Sequence, residues 1–310
     1  MPINIVKTLV ALLITILLQS CKVDTPYFPA PDPRPNDQPK LFGYYASAMN
    51  QVGSGDYINE MSGHANLVFI QSGDVATKLQ ETEQQHLKAI FSFTNMLFDA
   101  DWRLRSTWKD SIQAVTNLIN RYDTSIAAFY VIDEPYGRGW QTGVPTAEMY
   151  NAIETVGKYL KQLYPSIPIA VIFSAPELSS GIPFPPSFDW FAVDCYTGFY
   201  KCNNSSIPQL YETIDKTIRN LDAQDGKHRQ LMAIPPTGYD INTPGAEQNN
   251  LNQITEYRKW LHYRHDIHIV LGFIWQSFTG NGDNWRGTRD SEKLLNGYTL
   301  FYHDFMNGSL

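Results

Sequence analysis

The chain has few basic residues for its size. Lysine and arginine number 24 against 31 aspartates and glutamates, giving a net charge of −7, or −8 if Lys7 is lost with a leader. A nucleic-acid partner would require a basic surface, so this balance argues against one. Beyond residue 40 the sequence also contains no internal repeat, low-complexity block or second linker. We therefore expect residues 41–310 to form one domain around one large core.

The sequence has no long apolar run except at its N-terminus, and that run is too short to span a bilayer comfortably. Lys7 begins it and residues 8–18 form its apolar part, which is typical of an export signal over residues 1–20. The run ends in Leu18-Gln19-Ser20-Cys21, which resembles the lipobox of bacterial lipoproteins. That resemblance implies cleavage before Cys21, acylation of its thiol and a location in the cell envelope, periplasmic or surface-facing. Lys22 favours the outer membrane over the inner one. An ordinary signal peptide followed by a chance cysteine is the alternative.

Residues 21–40 are rich in proline and cannot build a core. Six of residues 22–40 are proline, a composition that favours extended polyproline II structure. At ~3.1 Å per residue this stretch would reach up to ~60 Å. We interpret it as a tether, through which an N-terminal lipid would be the only contact of the domain with a membrane.

Neither the cysteines nor the histidines suggest a metal centre. Cys195 and Cys202 are seven residues apart, and in an exported protein they would form a local disulfide or remain two free thiols. No histidine is near them in the sequence, so a zinc site has no support. His262, His265 and His268 are better explained by a solvated helix end. No cofactor is expected.

Eight short apolar runs predict an α/β fold of the (β/α)8 type, a TIM barrel. Segments with apolar residues at helical spacing, such as 110–122 and 146–164, separate most of the runs. Only residues 177–189 separate the fifth run from the sixth, so we expect a degenerate crossover there. A doubly wound open sheet is the alternative, but it would require a Gly-rich loop directly after the first strand. The eight runs are residues 41–47, 65–71, 87–93, 126–133, 169–174, 190–194, 230–234 and 269–275.

The fourth run is the most informative part of the sequence. Residues 126–132 are apolar and end in Asp133-Glu134-Pro135. A short continuous apolar run is typical of a buried parallel strand, and proline ends its hydrogen-bond ladder. In a barrel of such strands, Glu134 would lie at the mouth, where catalytic groups collect.

Polar and aromatic residues follow the other predicted strands as well. In a closed barrel these side chains would converge on one mouth. Hydroxyl-rich ligands bind to paired polar groups, and the flat faces of sugar rings pack against aromatic rings, so we predict a sugar site. The predicted substrate-binding residues are Asp133, Tyr44, Gln71, Asn95, Tyr196, Tyr239, Trp275 and Gln276.

An Asp-Glu-Pro ending the fourth of eight strands resembles the glycoside hydrolases that use (β/α)8 barrels. In the large retaining group of these enzymes, a glutamate at this position is the general acid/base, and Glu134 matches it. The sequence around Asp194 on the sixth strand and Trp275 on the eighth also resembles such barrels. The retaining group carries its nucleophile glutamate on the seventh strand, but residues 232–239 here contain no acid.

Glycoside cleavage normally requires two carboxyl groups that flank the bond. We predict Glu134 as the acid, because an aromatic-lined mouth raises the pKa of a carboxyl group by desolvation. Asp194, on the same rim, is the predicted catalytic partner. Asp133 is the alternative partner. A third possibility is that an N-acetyl group of the substrate acts as nucleophile and is oriented by Asp133 or Asp194.

The same residues have ordinary structural explanations. Asp133 would suit the N-cap of the next helix, and Asp194 would suit a loop in which it accepts backbone hydrogen bonds. Trp275 would fill the top of the barrel. Glu177 is expected to be a loop acid on the surface.

Two classes of function remain open from the sequence. The first is an envelope-anchored glycosidase that cleaves an oligo- or polysaccharide with Glu134 as acid/base. The second is a glycan-binding or scaffold lipoprotein on a barrel that has lost catalysis. The acid-free seventh strand is the main support for the second.

Overall fold

The computed structural model describes residues 39–45, 57–71, 74–280 and 283–310. Cys21 and the segments 1–20 and 21–38, on which the leader and most of the tether were predicted, lie outside these residues. Eight parallel strands close into a barrel, so the predicted (β/α)8 fold is confirmed. The barrel strands, in spatial order, are β1 (Leu41–Tyr44), β2 (Leu67–Ile70), β3 (Lys88–Ser92), β4 (Ile126–Asp133), β5 (Ile169–Ser174), β6 (Trp190–Asp194), β7 (Gln230–Ala233) and β9 (Ile269–Gly272).

Helices follow most of the strands and cover the outside of the barrel. The segment predicted as one helix over 110–122 is two short helices, because Val115 (φ −104, ψ 3) leaves the helical region between them. Val115 and Thr116 are both β-branched, which disfavours helix at this point. The helices are α1 (Val75–Gln84), α2 (Thr94–Leu97), α3 (Trp108–Ala114), α4 (Thr116–Arg121), α5 (Pro135–Thr142), α6 (Thr146–Leu163), α7 (Ala175–Ser179), α8 (Ile207–Asp225), α9 (Ala246–Tyr263) and α10 (Glu292–Asn307).

Two apolar layers form the core, and the side chains of each strand alternate between them. On β5, Ala170 and Ile172 belong to the layer inside the barrel, whereas Val171 and Phe173 face the helices. The inner layer contains no helical residue, and the outer one includes residues of nearly every helix. This alternation determines which residues at a strand end face the barrel axis.

The crossover from β5 to β6 is reduced, as predicted. It contains only the five-residue helix α7 and then an irregular stretch up to β6. Glu177 of α7 forms a capping box with Ser174, the last residue of β5. The short crossover therefore places a carboxylate directly under the mouth of the barrel.

A small antiparallel sheet beside the mouth was not predicted. It joins β8 (Tyr239–Asp240), β11 (Asp283–Arg286) and β10 (Phe278–Gly280), with β11 in the centre. Its strands come from the segments that follow β7 and β9, so it extends the wall of the mouth on that side. Among the residues described, no helix is long and apolar enough to cross a membrane.

Candidate active site

Three acids from two strands meet at the C-terminal mouth of the barrel. Asp133 ends β4, Glu134 follows it, and Asp194 ends β6. The carboxyl groups of Glu134 and Asp194 are in hydrogen-bonding contact with each other. The two residues predicted to be catalytic are therefore neighbours in the fold, although 60 positions separate them in the sequence.

A β-bulge in β4 turns Asp133 towards the barrel axis. Tyr130 pairs with Ala170 and Asp133 pairs with Ile172, so β4 advances by three residues where β5 advances by two. Without the extra residue, strict alternation would direct Asp133 towards the helices. With it, Asp133 lies on the same side as Tyr130, whose hydroxyl donates to Asp133 Oδ1 at 2.6 Å.

Asp133 is held from a second side by Arg138 of α5, which donates from Nη2 to Asp133 Oδ2 at 3.2 Å. The Asp133 carboxylate is therefore hydrogen-bonded to both Tyr130 and Arg138. Asp133 is not the N-cap of α5, because Glu134 occupies that position and makes no side-chain capping bond. The structural explanation of Asp133 as a helix cap was wrong.

Glu134 has a left-handed backbone conformation (φ 43, ψ 57), which is uncommon for a residue with a β-carbon. The first turn of the helix that it begins is capped from elsewhere. The Gly137 N–H donates to Glu177 Oε1 at 2.6 Å, and the Ser174 N–H donates to Glu177 Oε2 at 2.5 Å. Glu177 is fully buried, so the expectation of a surface loop acid was wrong.

Burial and mutual repulsion raise the pKa values of Glu134 and Asp194. Desolvation, followed by the negative charge of Glu134, raises the pKa of the Asp194 carboxyl well above its usual range. Desolvation and the charge of Asp133 also raise the pKa of Glu134, although contact with Asp194 and the Arg138 cation act in the opposite direction. The titration of Glu134 and that of Asp194 therefore depend on each other.

Three tyrosines surround the carboxyl groups. Besides Tyr130, these are Tyr196, whose hydroxyl donates to Asp194 Oδ2 at 2.9 Å, and Tyr45, which is buried in the inner layer. Burial, with the nearby carboxylates, raises the pKa of all three phenols well above their usual range. The three hydroxyl groups therefore remain protonated hydrogen-bond donors near neutral pH.

Tyr44 and Trp275 do not join the acids. Their rings pack against each other with centroids 4.7 Å apart in the outer layer, where Trp275 Nε1 also donates to Glu60 Oε1 at 2.9 Å. Neighbouring residues of a strand face opposite sides, so Tyr45 rather than Tyr44 faces the axis. Directly after β9, Phe273 packs against the inner layer and stacks on Tyr196, with ring centroids 4.9 Å apart.

The other predicted substrate-binding residues are spread around the rim. Gln71 continues the inward-facing series of β2, and its Oε1 is buried with no hydrogen-bond partner among the described residues. Asn95 is exposed on α2. Gln276 is buried, and Tyr239 is half-buried in β8. Of the predicted substrate-binding residues, Asp133 and Tyr196 form hydrogen bonds within the acid cluster.

Several site residues were missed by the sequence reasoning. Arg138 was not among the predicted site residues, yet it pairs with Asp133 and also lies 5.0 Å from the ring centroid of Trp102. Trp285 contacts Tyr196 and Phe273 edge to face. The sequence did contain a signal for Arg138. It lies four residues after Glu134 at a helix start, and this spacing brings helical side chains to the same face.

The seventh strand contributes an apolar residue where the retaining group carries its nucleophile. Ile234 bridges to Asp194 in the sheet and belongs to the inner layer. Residues 230–239 are all described and include no acid. The carboxyl pair of this site therefore comes from β4 and β6.

A disulfide closes the loop that follows Asp194. Cys195 and Cys202 are bonded, with their Cα atoms 5.8 Å apart, and Tyr196 lies within the closed loop. In the described part of the chain, no group of three or more His, Cys, Asp or Glu side chains is arranged to hold a metal ion.

Comparison with solved structures finds proteins of similar fold. A psychrophilic glycoside hydrolase family 10 endo-β-1,4-xylanase superposes with a TM-score of 0.51 at 11% identity, over 85% of this chain and 97% of that one. A β-glucuronidase from Ruminococcus gnavus in complex with D-glucaro-d-lactam gives 0.55 at 11% identity, over 85% and 49%. A glucosidase from Croceicoccus marinus gives 0.54 at 10% identity, over 86% and 68%.

The chain shares the (β/α)8 barrel fold with these solved structures. It spans nearly the whole xylanase but about half of the Ruminococcus gnavus β-glucuronidase. No protein-family model matches the sequence, and the comparison with curated proteins gives no match. At these identities the likeness establishes the fold, and any activity must be argued from the site itself.

Proposed function

We propose that this protein is a glycosidase in which Glu134 donates a proton to the oxygen of a glycosidic bond. The observation that carries the proposal is the contact between Glu134 and Asp194, which keeps a proton on a carboxyl pair at the mouth of the barrel. A proton donor near neutral pH requires a raised pKa, and burial supplies it here. The surrounding aromatic rings are suited to an oligo- or polysaccharide.

The remaining residues of the cluster have supporting roles in this proposal. Asp194 holds the proton of the pair before substrate binds and passes it to Glu134, which then donates it to the oxygen of the leaving group. Asp133 is fixed by Tyr130 and Arg138, so its carboxylate can accept a hydrogen bond from the substrate in one orientation. Arg138 offsets part of the negative charge that the three acids bring together.

The segment after the seventh barrel strand also restricts the mechanism. Two carboxyl groups normally flank the glycosidic bond, but residues 230–239 contain no acid, and Ile234 stands there beside Asp194. These facts favour assistance by an N-acetyl group of the substrate, with Asp133 as the group that orients it.

Replacement of Glu134 by glutamine tests the proposed activity. Gln retains the shape of the side chain but has no acidic proton, so we expect the release of reducing ends to fall about 10²–10⁴-fold. The control is Glu148→Gln, which removes an exposed acid paired with Arg103 and should leave turnover unchanged. Full turnover in a folded Glu134→Gln variant would refute the role of Glu134.

A glycan-binding protein without catalysis is the second candidate, and Ile234 at the seventh-strand position favours it. Under this hypothesis the wild type and Glu134→Gln bind the same oligosaccharides and neither releases reducing ends. Measurement of binding and turnover on the same panel separates the two functions.

We further propose that the protein is exported and anchored to the cell envelope, on the outer membrane, by a lipid on Cys21. The lipobox-like sequence before Cys21 and the proline-rich stretch after it support this proposal. The barrel would then act on glycans near the membrane without contacting the bilayer itself. The expected observation is an N-terminal peptide that begins at a lipid-modified Cys21, detected by mass spectrometry.

A further inference from the structure

A cavity of about 500 Å³ opens beside the acid cluster. Its walls come from the loop after β6, from residues 238–246, from the start of α9 and from β11. The volume is within the range of about 300–1,000 Å³ that is usual for ligand sites. The unpredicted small sheet therefore forms one side of a space large enough for a sugar unit.

Tyr196 connects this cavity to the acids. Its ring lines the cavity, and its hydroxyl donates to Asp194 Oδ2 at 2.9 Å. Tyr196 thus belongs both to the cavity wall and to the acid cluster. A ligand in the cavity would contact a side chain that is hydrogen-bonded to the carboxyl pair.

The wall of the cavity is aromatic and firmly held. Tyr196, Tyr239 and Trp285 all line it. The Trp285 ring is parallel to Phe278, with centroids 6.3 Å apart, and meets Tyr196 edge to face at 6.1 Å. A ring fixed on two sides loses little conformational entropy when a ligand packs against it. Such surfaces suit the apolar faces of sugar rings.

The charges at the wall disfavour an anionic ligand. Asp240 is the single charged residue among those that line the cavity, and its carboxylate accepts from the Thr243 hydroxyl at 3.3 Å. Arg286 of β11 is not among the residues that line the cavity. A carboxylated or sulfated sugar would therefore meet the Asp240 carboxylate with no cation in the lining to offset the repulsion, and a neutral sugar would avoid that repulsion.

We propose that the cavity beside Tyr196 is a subsite for a neutral sugar unit of an oligosaccharide whose adjoining glycosidic bond lies over Glu134 and Asp194. The inference rests on the proposed function for the placement of the bond. The neutral character of the sugar follows from the lining of the cavity alone. It contrasts with the charged uronic acid that the name β-glucuronidase indicates for one protein of similar fold.

Isothermal titration calorimetry on the full-length protein carrying Glu134→Gln tests the subsite without turnover. Three probes are neutral: xylohexaose, cellohexaose and hexa-N-acetylchitohexaose. The fourth, hexagalacturonate, is anionic. We expect at least one neutral hexamer to bind at least about tenfold more tightly than hexagalacturonate. Adding Trp285→Ala should weaken binding of that hexamer about tenfold or more.

Two further variants keep the test decisive. Tyr239→Leu removes a flat ring but retains apolar volume, so it reports on the cavity if Trp285→Ala does not fold. Tyr263→Ala is the matched control, because Tyr263 is an exposed aromatic residue at the opposite end of α9 from the cavity. This variant should bind the hexamer with unchanged affinity.

The subsite is overturned if no neutral hexamer binds, if hexagalacturonate binds more tightly, or if the folded cavity variants bind as well as the parent. Retained turnover in Glu134→Gln would instead contradict the proposed catalytic role and leave the affinity data valid. The failure of the subsite and the failure of the proposed function are therefore distinguishable.

Discussion

Glu134 combines a buried carboxyl group with a strained backbone. The left-handed conformation costs a residue with a β-carbon about 1–2 kcal/mol, and it persists only where the surroundings determine the chain on both sides. Here the bulge of β4 precedes Glu134, and the N–H of Gly137 is fixed by Glu177 after it. The strain sits on the residue to which we assign the proton transfer.

A comparison of Glu134→Gly with Glu134→Ala isolates this strain. Both changes delete the carboxyl group, but only glycine adopts the left-handed conformation without a steric cost. We expect the glycine variant to have the larger free energy of unfolding by about 1 kcal/mol, measured by urea denaturation. An alanine variant of equal or greater stability would show that the backbone at this position is not left-handed.

Single residues at the site were predicted with uneven success. Glu134 and Asp194 were located from the sequence, because acids at the ends of apolar runs are rare. It was harder to predict whether their neighbours face the barrel axis or the helices. One bulged residue or an irregular strand end reverses the alternation of side chains between these two sides. That is why Tyr44 and Trp275 were chosen where the structure places Tyr45 and Phe273 near the acids.

At the scale of elements, one carboxylate organises two helix starts. Glu177 accepts the N–H of Gly137 in the first turn of α5 and the N–H of Ser174 before α7. Burial nevertheless raises the pKa of the Glu177 carboxyl to about 7, with the charge of Glu134 acting in the same direction and the two N–H donors against it. The link between the helices therefore titrates near neutral pH.

This pKa predicts how stability depends on pH. The folded protein retains the Glu177 proton up to about pH 7, whereas the unfolded chain loses it near the ordinary value of 4.5. The contribution of Glu177 to the free energy of unfolding is therefore largest below pH 4.5. It falls by on the order of 3 kcal/mol as the pH rises through 7.

Urea denaturation of the wild type and Glu177→Gln between pH 4 and pH 8 measures this contribution. The stability difference between them should shift in favour of the glutamine variant as the pH rises. Glu148→Gln, at an exposed position, should follow the wild-type curve. A pH-independent difference for Glu177→Gln would contradict the raised pKa.

The elements themselves were predicted well where they are long and periodic. All eight barrel strands were found, because each is a short apolar run between segments of helical spacing. The three-stranded sheet was missed, since β8 and β10 have only two and three residues. The Asn281-Gly282 dipeptide between β10 and β11 was the available signal, as this pair is favoured in hairpin turns.

At the scale of the whole molecule, the barrel architecture could be predicted from the sequence, but the arrangement of residues at its mouth could not. Both faces of a parallel barrel strand are buried, so each strand is a short continuous apolar run, and such runs can be found in the sequence. The mouth depends on contacts between loops that are distant in the sequence, such as Tyr196 with Phe273 and Trp285. No local pattern encodes those contacts.

The proposed anchor predicts how the whole protein distributes in a cell. Cys21→Ser removes the thiol for acylation but leaves residues 41–310 intact, so we expect an unchanged circular dichroism spectrum. The protein should move from the membrane fraction to the soluble fraction after cell lysis. Wild-type protein that is already soluble, with an unmodified Cys21, would contradict the anchor.

The left-handed backbone at Glu134 also has an evolutionary consequence. Glycine, and to a lesser extent asparagine, would relieve the strain there, so drift without selection for a carboxyl group would tend to replace the glutamate with a more stable residue. A lineage that had turned this barrel into a passive scaffold would be expected to carry one of those residues. The chain instead retains an acid at a position where losing it would increase stability.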